Sequence, residues 1–481
     1  MHKITSMSLG FSMFSFINAS TSHDQATKAD SRSKKAQKTN ESTAAAESSQ
    51  SVRNRRLLNA KSHTLKNGLQ VIVVEDRAIP RVSVGVLYKV GSCDDPENLF
   101  GLSHMTEHMF FHGSVKYPQI DATIGKLGGT LNACTSSDCT AYITDVPATA
   151  LEVIFRIEAN RMGNFNLRKT KIFGSEKKAV HEERLMVIEN QPDGVALEYI
   201  RMAISPQHPY GREVIGFPHN IMNYSADAVM EHYRKWYAPN NAVLIVVGDV
   251  NAADVFKKAE AHFGNIKSRD VPKRVRVANA SSDIHQKLTF YSSNVASNKV
   301  DLVYNAPHHS THSMKEIRAM KILLEVLFGG VVYEFCHRFL QKNELVADFC
   351  VCHYTTLDPA PFYVCVSLRD GVTCEKFLKE YFKRIKELAK RGVSEEDFRR
   401  AKQSYLTSAT YQARDGHSRI RMRIVECLGA GGTLDQIENA IVDIESVTIE
   451  DVNNMLRQFI NKKPFAIIKT VVKPSEAPNE T

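Results

Sequence analysis

The order of predicted helices and strands occurs twice along the chain, and this repeat constrains the fold more than any other feature. In the first half, apolar runs at 69–74 and 82–87 predict buried strands, and a helix, a strand pair and further helices precede a closing strand at 242–249. The second half shows a similar order between predicted strands at 300–304 and 465–472. We therefore expect an α+β protein with two structurally similar domains of about 200 residues. Each domain should be a mainly antiparallel sheet packed against helices.

Composition divides the 481 residues into four segments. Residues 1–19 have the pattern of a possible signal peptide, and residues 20–57, rich in Ser, Ala, Lys, Thr and Gln, are expected to form a disordered basic linker. Because the stretch from 267 to 283 is basic and poor in strand signals, we expect an N-terminal domain at 58–275 and a C-terminal domain at 276–481.

The first residues combine Lys3 with a short apolar stretch at 7–17 and small residues near Ala19, the pattern of a weak secretory signal. This pattern favours a periplasmic or secreted protein. The nine irregularly spaced cysteines favour a reducing compartment instead, so a cytoplasmic location is the alternative. No apolar run approaches the ~18–20 residues of a membrane-spanning helix, so we expect no integral membrane segment.

The net charge of +9 is concentrated in the N-terminal segment, where residues 1–57 contain nine basic and four acidic side chains. The rest of the chain is therefore nearly balanced in charge. A nucleic-acid-binding protein usually carries a basic patch on its folded part, so we expect no nucleic-acid partner.

The most specific motif is His104-Met105-Thr106-Glu107-His108, which lies in a helix predicted over 100–111. Residues i and i+4 of a helix lie on one face, so both imidazoles can reach one Zn²⁺ ion, which favours nitrogen ligands. Glu107 projects near the same face, where a carboxylate can act as a general base for a zinc-activated water. The alternative for this motif alone is a pair of surface histidines on an amphipathic helix.

A catalytic zinc needs a third protein ligand, and a second predicted helix at 169–189 offers two glutamates. Glu176 and Glu183 are two turns apart and share a face, whereas Glu182 is turned away by about 100°. Glu183 is the better ligand by this geometry, and Glu176 is then a second-shell residue that orients a ligand. A solvated acidic helix face remains the alternative.

Two other groups are interpreted as structural. His112 extends the face of the motif helix, but a catalytic zinc keeps one position open, so we expect His112 at the rim or in packing. Cys350, Cys352 and Cys365 lie on two predicted strands with a spacing unlike that of a zinc knuckle, and we interpret them as buried strand cysteines.

Residues 91–111 are similar to the active-site helix and its lead-in in the inverzincin metallopeptidases, the family of pitrilysin, insulysin and mitochondrial processing peptidase. The chain most resembles the half-length bacterial, processing-protease-like members. The resemblance runs from about residue 65 to residue 474, which is nearly the whole chain after the predicted linker.

This resemblance implies roles for the motif residues. Family members carry a glutamate ligand at about the distance that separates Glu183 from His108, and another glutamate seven residues earlier, where this chain has Glu176. The resemblance therefore implies zinc binding by His104, His108 and Glu183, one Zn²⁺ per chain. It also implies that Glu107 is the general base and that Glu176 supports the ligands.

Three more segments are similar to the family, at 128–142, 208–211 and 237–241. The first resembles the edge strand with which the family pairs its substrate, which implies substrate binding by Asn132 and Ala133. An exposed edge strand can bind an extended peptide through main-chain hydrogen bonds.

The resemblance implies a zinc metalloendopeptidase that hydrolyses peptide bonds in extended or unfolded polypeptides. In this family two such halves face each other to form a clamshell chamber, so a half-length chain implies a homodimer or a heterodimer with a similar chain. The alternative is a non-catalytic or partner-dependent structural subunit of a peptidase-like complex. Such subunits typically lose metal residues, and this chain has all four.

Overall fold

The computed structural model describes residues 56–473 except 113, 115, 166, 168–169, 192–193, 275–285, 293–294, 343 and 354. The predicted signal peptide (1–19) and nearly all of the predicted linker (20–57) lie outside these residues, as does the predicted domain boundary between 275 and 276.

The strands, β1 to β11 in chain order, are Lys61–Thr64, Gln70–Glu75, Arg81–Tyr88, Thr130–Thr135, Thr140–Pro147, Ala242–Gly248, Gln286–Ser292, Lys299–Tyr304, Val346–His353, Phe362–Leu368 and Ala466–Val472. The helices, α1 to α16, are Leu102–Phe111, Ile120–Lys126, Leu151–Asn164, Thr170–Arg184, Gly194–Ile204, Pro218–Asn223, Ala226–Trp236, Ala252–Phe263, Met314–Phe328, Glu334–His337, Cys374–Arg391, Glu395–Gln412, His417–Gly429, Leu434–Glu438, Ala440–Ser446 and Ile449–Met455. None of the described helices is both long and apolar enough to span a bilayer.

The first sheet has the strand order β1-β2-β6-β3-β5-β4. Its central strands β2, β3 and β6 are rich in Val, Ile and Leu, and nearly all of their residues are buried. Strands covered on both faces become continuous apolar runs of this kind. Strand β2 pairs with β6 in parallel, and the other pairs are antiparallel.

The second sheet, β7-β11-β8-β10-β9, repeats the order β2-β6-β3-β5-β4 of the first. Its single parallel pair, β7 with β11, corresponds to β2 with β6. The predicted α+β architecture with two similar, mainly antiparallel sheets is therefore confirmed. The sequence did not predict β7, because this strand at the sheet edge is half-exposed and lacks a continuous apolar run.

Each half also places one helix on the other half's sheet. Helix α13 from the second half packs Ile420, Ile424 and Val425 on the face of the first sheet that points away from α1. Helix α5 from the first half packs Ile200 and Ile204 on the second sheet in the same way. The two halves are thus joined by reciprocal burial of apolar helix faces.

One of these two contacts contains a buried ion pair. The guanidinium of Arg421 on α13 donates to Ser83 Oγ at 2.6 Å and to Asp145 Oδ1 at 2.7 Å, both on the first sheet. Gly85 makes room for this side chain, since a Cβ at Gly85 would lie 3.1 Å from Arg421 Cδ. Arg421 itself is almost fully buried.

Candidate metal centre

The position of α1 is set by a partly buried carboxylate at its N-terminus. Asp95 accepts hydrogen bonds from the backbone N–H groups of Gly101 at 2.7 Å and Ser103 at 2.8 Å, and from the Ser103 hydroxyl at 2.6 Å. Burial raises the pKa of Asp95 to about 7. Gly101 adopts a φ of +93°, a conformation that favours glycine.

The side chains of the motif on α1 meet the two glutamates of α4. Glu183 Oε2 lies 3.1 Å from His108 Nε2 and 3.8 Å from His104 Nε2. Glu176 Oε2 lies 3.4 Å from His108 Nδ1, on the other side of that ring. All four side chains are mostly buried. Among the described residues, His104, His108 and Glu183 form the only cluster of His, Cys, Asp and Glu that can hold a metal ion.

The donor set fits zinc. Two ligand atoms at about 2.0–2.1 Å from one Zn²⁺ are separated by no more than about 4.2 Å, and the distances from Glu183 Oε2 to both imidazole Nε2 atoms are shorter than that. The contact between His108 Nδ1 and Glu176 matches the carboxylate–histidine pairing that orients zinc ligands.

The charges of the site reflect its burial. Burial lowers the pKa of His104 to about 4. Burial opposes the charged form of His108 as well, but hydrogen bonds to Glu176 and Glu183 outweigh it and raise the pKa of His108 to about 10. Burial also opposes ionisation of Glu176, whereas its contacts with His108 and His112 lower the pKa of Glu176 to about 2. The two glutamates therefore hold the ring of His108 between them.

Glu107 lies on the side of α1 that faces β4. Its Oε2 accepts a hydrogen bond of 2.6 Å from the hydroxyl of Thr135, the last residue of β4. Burial raises the pKa of Glu107 to about 7. A carboxyl with a pKa near neutrality is suited to accept and return a proton.

Strand β4 is the edge of the first sheet, next to α1. Asn132 is exposed and Ala133 is partly buried. The side-chain oxygen of Asn132 accepts the backbone N–H of Ala133 at 2.8 Å. The two residues predicted to bind substrate therefore lie on an edge strand beside the metal cluster.

The other candidates are not members of the metal cluster. His112 contacts Glu176 Oε1 through Nε2 at 2.9 Å and is about one-third exposed, so it lies at the rim of the site. The Sγ atoms of Cys350 and Cys352 are 3.9 Å apart, and both cysteines are free thiols, as is Cys365. Neither group contributes to the metal cluster.

Sequence reasoning missed Thr135 and Asp95 as supports of the site. Both lie in the segments whose similarity to the family was noted, but neither has a periodicity that marks it. Their roles depend on contacts with residues 28 and eight positions away, which appear only in the folded chain.

Two family models match the chain. The model described as Insulinase (Peptidase family M16) matches residues 70–217, and the model described as Peptidase M16 inactive domain matches residues 223–405. This chain belongs to peptidase family M16. The first match contains α1 and α4, and the second contains most of the second half.

Named relatives and solved structures agree with this family assignment. A zinc protease named PqqE from Helicobacter pylori is 35% identical over 213 residues, which are 44% of this chain and 48% of that protein. The aligned part thus spans about half the length of this curated relative. The crystal structure of a protease from Helicobacter pylori has a TM-score of 0.78 and 25% identity, over 87% of this chain and 100% of that one.

A longer structure shows the same fold. The periplasmic protease PqqL from Escherichia coli matches with a TM-score of 0.73 and 16% identity, over 87% of this chain and 48% of that chain. PqqL is therefore about twice as long as the matching part of this chain.

Proposed function

We propose that this chain is a zinc metalloendopeptidase that hydrolyses peptide bonds in extended or unfolded polypeptides. The observation that carries the proposal is the convergence of His104, His108 and Glu183 beside the separate carboxylate of Glu107. A metallopeptidase needs both a metal site and a general base, and the two lie side by side here. Relatives named zinc proteases support the same proposal.

His104, His108 and Glu183 would hold one Zn²⁺, which when bound supplies the Lewis-acid chemistry that activates water and polarises a carbonyl. Glu107 takes a proton from the attacking water and passes it to the leaving amine. The hydroxyl of Thr135 holds the Glu107 carboxylate in place during both transfers. Glu176 orients the ring of His108 through Nδ1.

The substrate would add as a further strand to the open edge of β4, where Asn132 and Ala133 contact it. Main-chain pairing of this kind selects for an extended polypeptide rather than for one sequence. The exposed side chain of Asn132, which covers the N–H of Ala133, would turn aside when a substrate carbonyl replaces it.

The second candidate function is that of a partner-dependent subunit. It is favoured by the match of the second half to a model described as an inactive domain, and by the two-fold greater length of PqqL. We propose that a homodimer or a heterodimer with a similar chain forms the complete clamshell chamber, with the N-terminal domain at 58–275 carrying the zinc and the C-terminal domain at 276–481 forming a wall.

A periplasmic or secreted location is proposed, with a cytoplasmic one as the alternative. The pattern of residues 1–19 and the description of PqqL as periplasmic support the proposal.

The test measures zinc content and cleavage of an unfolded reporter for the purified chain and for Glu107→Gln. The variant should keep zinc and lose roughly 10²–10⁴-fold in cleavage rate, the contribution of a general base. Glu325→Gln is the matched control, because Glu325 is a partly buried carboxyl of the second half. A wild-type chain that binds no zinc contradicts the proposal, and zinc binding with activity only after a similar chain is added favours the partner-dependent subunit.

A further inference from the structure

A partly buried polar cluster joins the second half of the molecule to the turn between β4 and β5. The carboxylate of Asp138 in this turn accepts a hydrogen bond from the Tyr210 hydroxyl and another from the backbone N–H of Leu357, both at 2.9 Å. The Tyr210 oxygen accepts the backbone N–H of Asp358 at 2.9 Å. We call Asp138, Tyr210, Leu357 and Asp358 the clasp.

The two ends of the clasp come from different halves. Leu357 and Asp358 lie in the loop between β9 and β10 of the second sheet, whereas Asp138 lies between β4 and β5 of the first. Tyr210 belongs to the segment 208–211 that is similar to the family but has no contact with the metal cluster in the described contacts. The clasp thus fixes one loop of the second half on one turn of the first.

The turn that the clasp holds is bonded to the lead-in of α1. Ser92 N–H donates to Ser136 O at 3.1 Å, and Cys93 N–H donates to Ser137 O at 3.0 Å. Gly91 allows this close approach, because a Cβ at Gly91 would collide with the carbonyl of Ser136. The carbonyl of Gly91 in turn accepts the hydroxyl of Ser103, at 2.8 Å, in the first turn of α1.

The same turn directly follows the last residue of β4. Thr135, the last residue of that strand, donates to Glu107 at 2.6 Å, so the turn follows directly on the contact that orients the base. A displacement at Asp138 therefore shifts β4, Glu107 and α1 together relative to the second half, because the turn is joined to Glu107 through Thr135 and to α1 through Gly91.

The chemistry of the clasp favours positioning over simple packing. Asp138 is almost fully buried, and desolvation by burial raises its pKa. An apolar contact between the halves would avoid the free-energy cost of burying a carboxylate. Hydrogen bonds instead define one geometry, because they weaken steeply when donor and acceptor are misaligned.

We propose that the clasp sets the position of β4 and Glu107 relative to the second half, so that a polypeptide long enough to reach both halves is held in register for cleavage. The inference rests on the proposed peptidase function. Asp138 and Tyr210 are positioning residues, since neither belongs to the metal cluster or touches Glu107 in the described contacts.

The test compares Tyr210→Phe with the wild-type chain, in the assembly that is active, on two substrates with the same cleavage sequence, a short quenched peptide and a long unfolded polypeptide. Tyr210→Phe removes one hydroxyl and keeps the ring. We expect kcat/KM for the long substrate to fall roughly ten-fold, chiefly through KM, which is the effect of about one buried hydrogen-bonded group. Cleavage of the short peptide should stay within about two-fold, and zinc content should not change.

Tyr199→Phe is the matched control, because Tyr199 is an exposed tyrosine on α5. Asp138→Asn keeps the shape of the side chain, and its effect combined with Tyr210→Phe should be less than additive if the two residues act as a unit. Equal losses on both substrates together with a lower Tm would show a merely structural role and overturn the inference. Unchanged kinetics on both substrates would also overturn it.

Hydrogen exchange gives a readout that does not need activity. In Tyr210→Phe, amides of residues 91–95 and 136–138 should exchange faster, while those of β1 and β2 should not change. Unchanged exchange at 91–95 overturns the inference. If the wild-type chain cleaves neither substrate but exchange at 91–95 does respond, the proposed peptidase function fails and the link from the clasp to α1 is supported.

Discussion

Helices α1 and α4 of the first half and helices α9 and α12 of the second half follow equivalent strands in two sheets of the same order. In the first pair, imidazoles on α1 face carboxylates on α4. In the second pair, the guanidinium of Arg318 donates to the Tyr405 hydroxyl at 2.9 Å. A cation lies at the second contact, and among the described residues only the first has a cluster that could hold a metal ion. The difference teaches that the fold supplies a contact between two helices, and that a few side chains decide its chemistry.

The two exchanged helices differ in a similar way. Helix α5 contacts the second sheet through apolar side chains such as Ile200 and Ile204. Helix α13 makes a comparable apolar contact but adds the buried Arg421, which pairs with Asp145. The α5 joint includes a hydrogen bond from the Gln286 side chain of β7 to the Ala203 carbonyl at 3.2 Å, whereas the α13 joint includes a buried ion pair.

The largest expected effect tests the difference between the two helix pairs in zinc binding. Glu183→Gln removes a proposed metal ligand, whereas Glu325→Gln changes a carboxyl on α9 that accepts from Tyr333 and Ser404. Zinc affinity of Glu183→Gln should fall by more than the roughly 10–100-fold that is typical for loss of a second-shell partner. Zinc content after dialysis measures this, and Glu325→Gln should keep wild-type zinc. Equal zinc retention by both variants would contradict the assignment of Glu183.

The next effect tests the joint between the halves. Arg421→Met leaves Asp145 without its cation, and because Asp145 is a quarter exposed we expect a loss of about 3 kcal/mol in the free energy of unfolding, the low end for a broken buried pair. Denaturant unfolding measures it. The double variant Arg421→Met/Asp145→Leu should recover most of the loss, because no buried charge is then unpaired. A double variant as unstable as Arg421→Met would show that the guanidinium acts through packing alone.

A smaller effect is expected at Glu176, which contacts the far side of the His108 ring. Glu176→Gln should weaken zinc binding roughly 10–100-fold, or about 1.4–2.7 kcal/mol, since the ring loses a charged acceptor but keeps its ligand nitrogen. Competition with a chelator measures the affinity. A variant with Glu182→Gln is the control, because Glu182 belongs to the same helix but not to the cluster. A loss as large as that of Glu183→Gln would make Glu176 a direct ligand.

The last comparison concerns the N-termini of α1 and α9, where the expected effect is a change of stability with pH. Helix α1 is held by the partly buried Asp95, whose pKa is raised to about 7 by desolvation, whereas α9 begins with an exposed capping box in which the Ser313 hydroxyl lowers the pKa of Glu316. Because the folded chain keeps a proton on Asp95 that the unfolded chain loses above about pH 4, stability should fall as pH rises from about 4 to about 7.

The size of this slope is at most about 1.4 kcal/mol per pH unit. Asp95→Asn should reduce it, as seen by denaturant unfolding across that range, and the part contributed by Glu107, whose pKa is also raised to about 7, should remain. Glu316→Gln should leave it in place, because a carboxyl with a lowered pKa loses its contribution only as pH falls below its ordinary range. A slope that Asp95→Asn leaves unchanged would assign it to another group.

The sequence predicted the parts of the site that lie close together along the chain. His104, Glu107 and His108 are one helical turn apart, and Glu176 and Glu183 are two turns apart, so helix geometry alone places each set on one face. The resemblance to the family then linked the two sets. The structure brings them within hydrogen-bonding distance, while their roles remain predictions that the variants above test.

The sequence by itself determined the repeat of strands and helices, because hydrophobic periodicity is a local property of the chain. Only the tertiary structure decided that α5 and α13 change places between the two sheets, that Thr135 reaches Glu107, and that Asp138 joins the two halves. Such contacts unite residues far apart along the chain, and no short-range pattern encodes them. The polar contacts form because a buried polar group must find a partner, and the helix contacts form because apolar faces must be buried; only the folded chain supplies either.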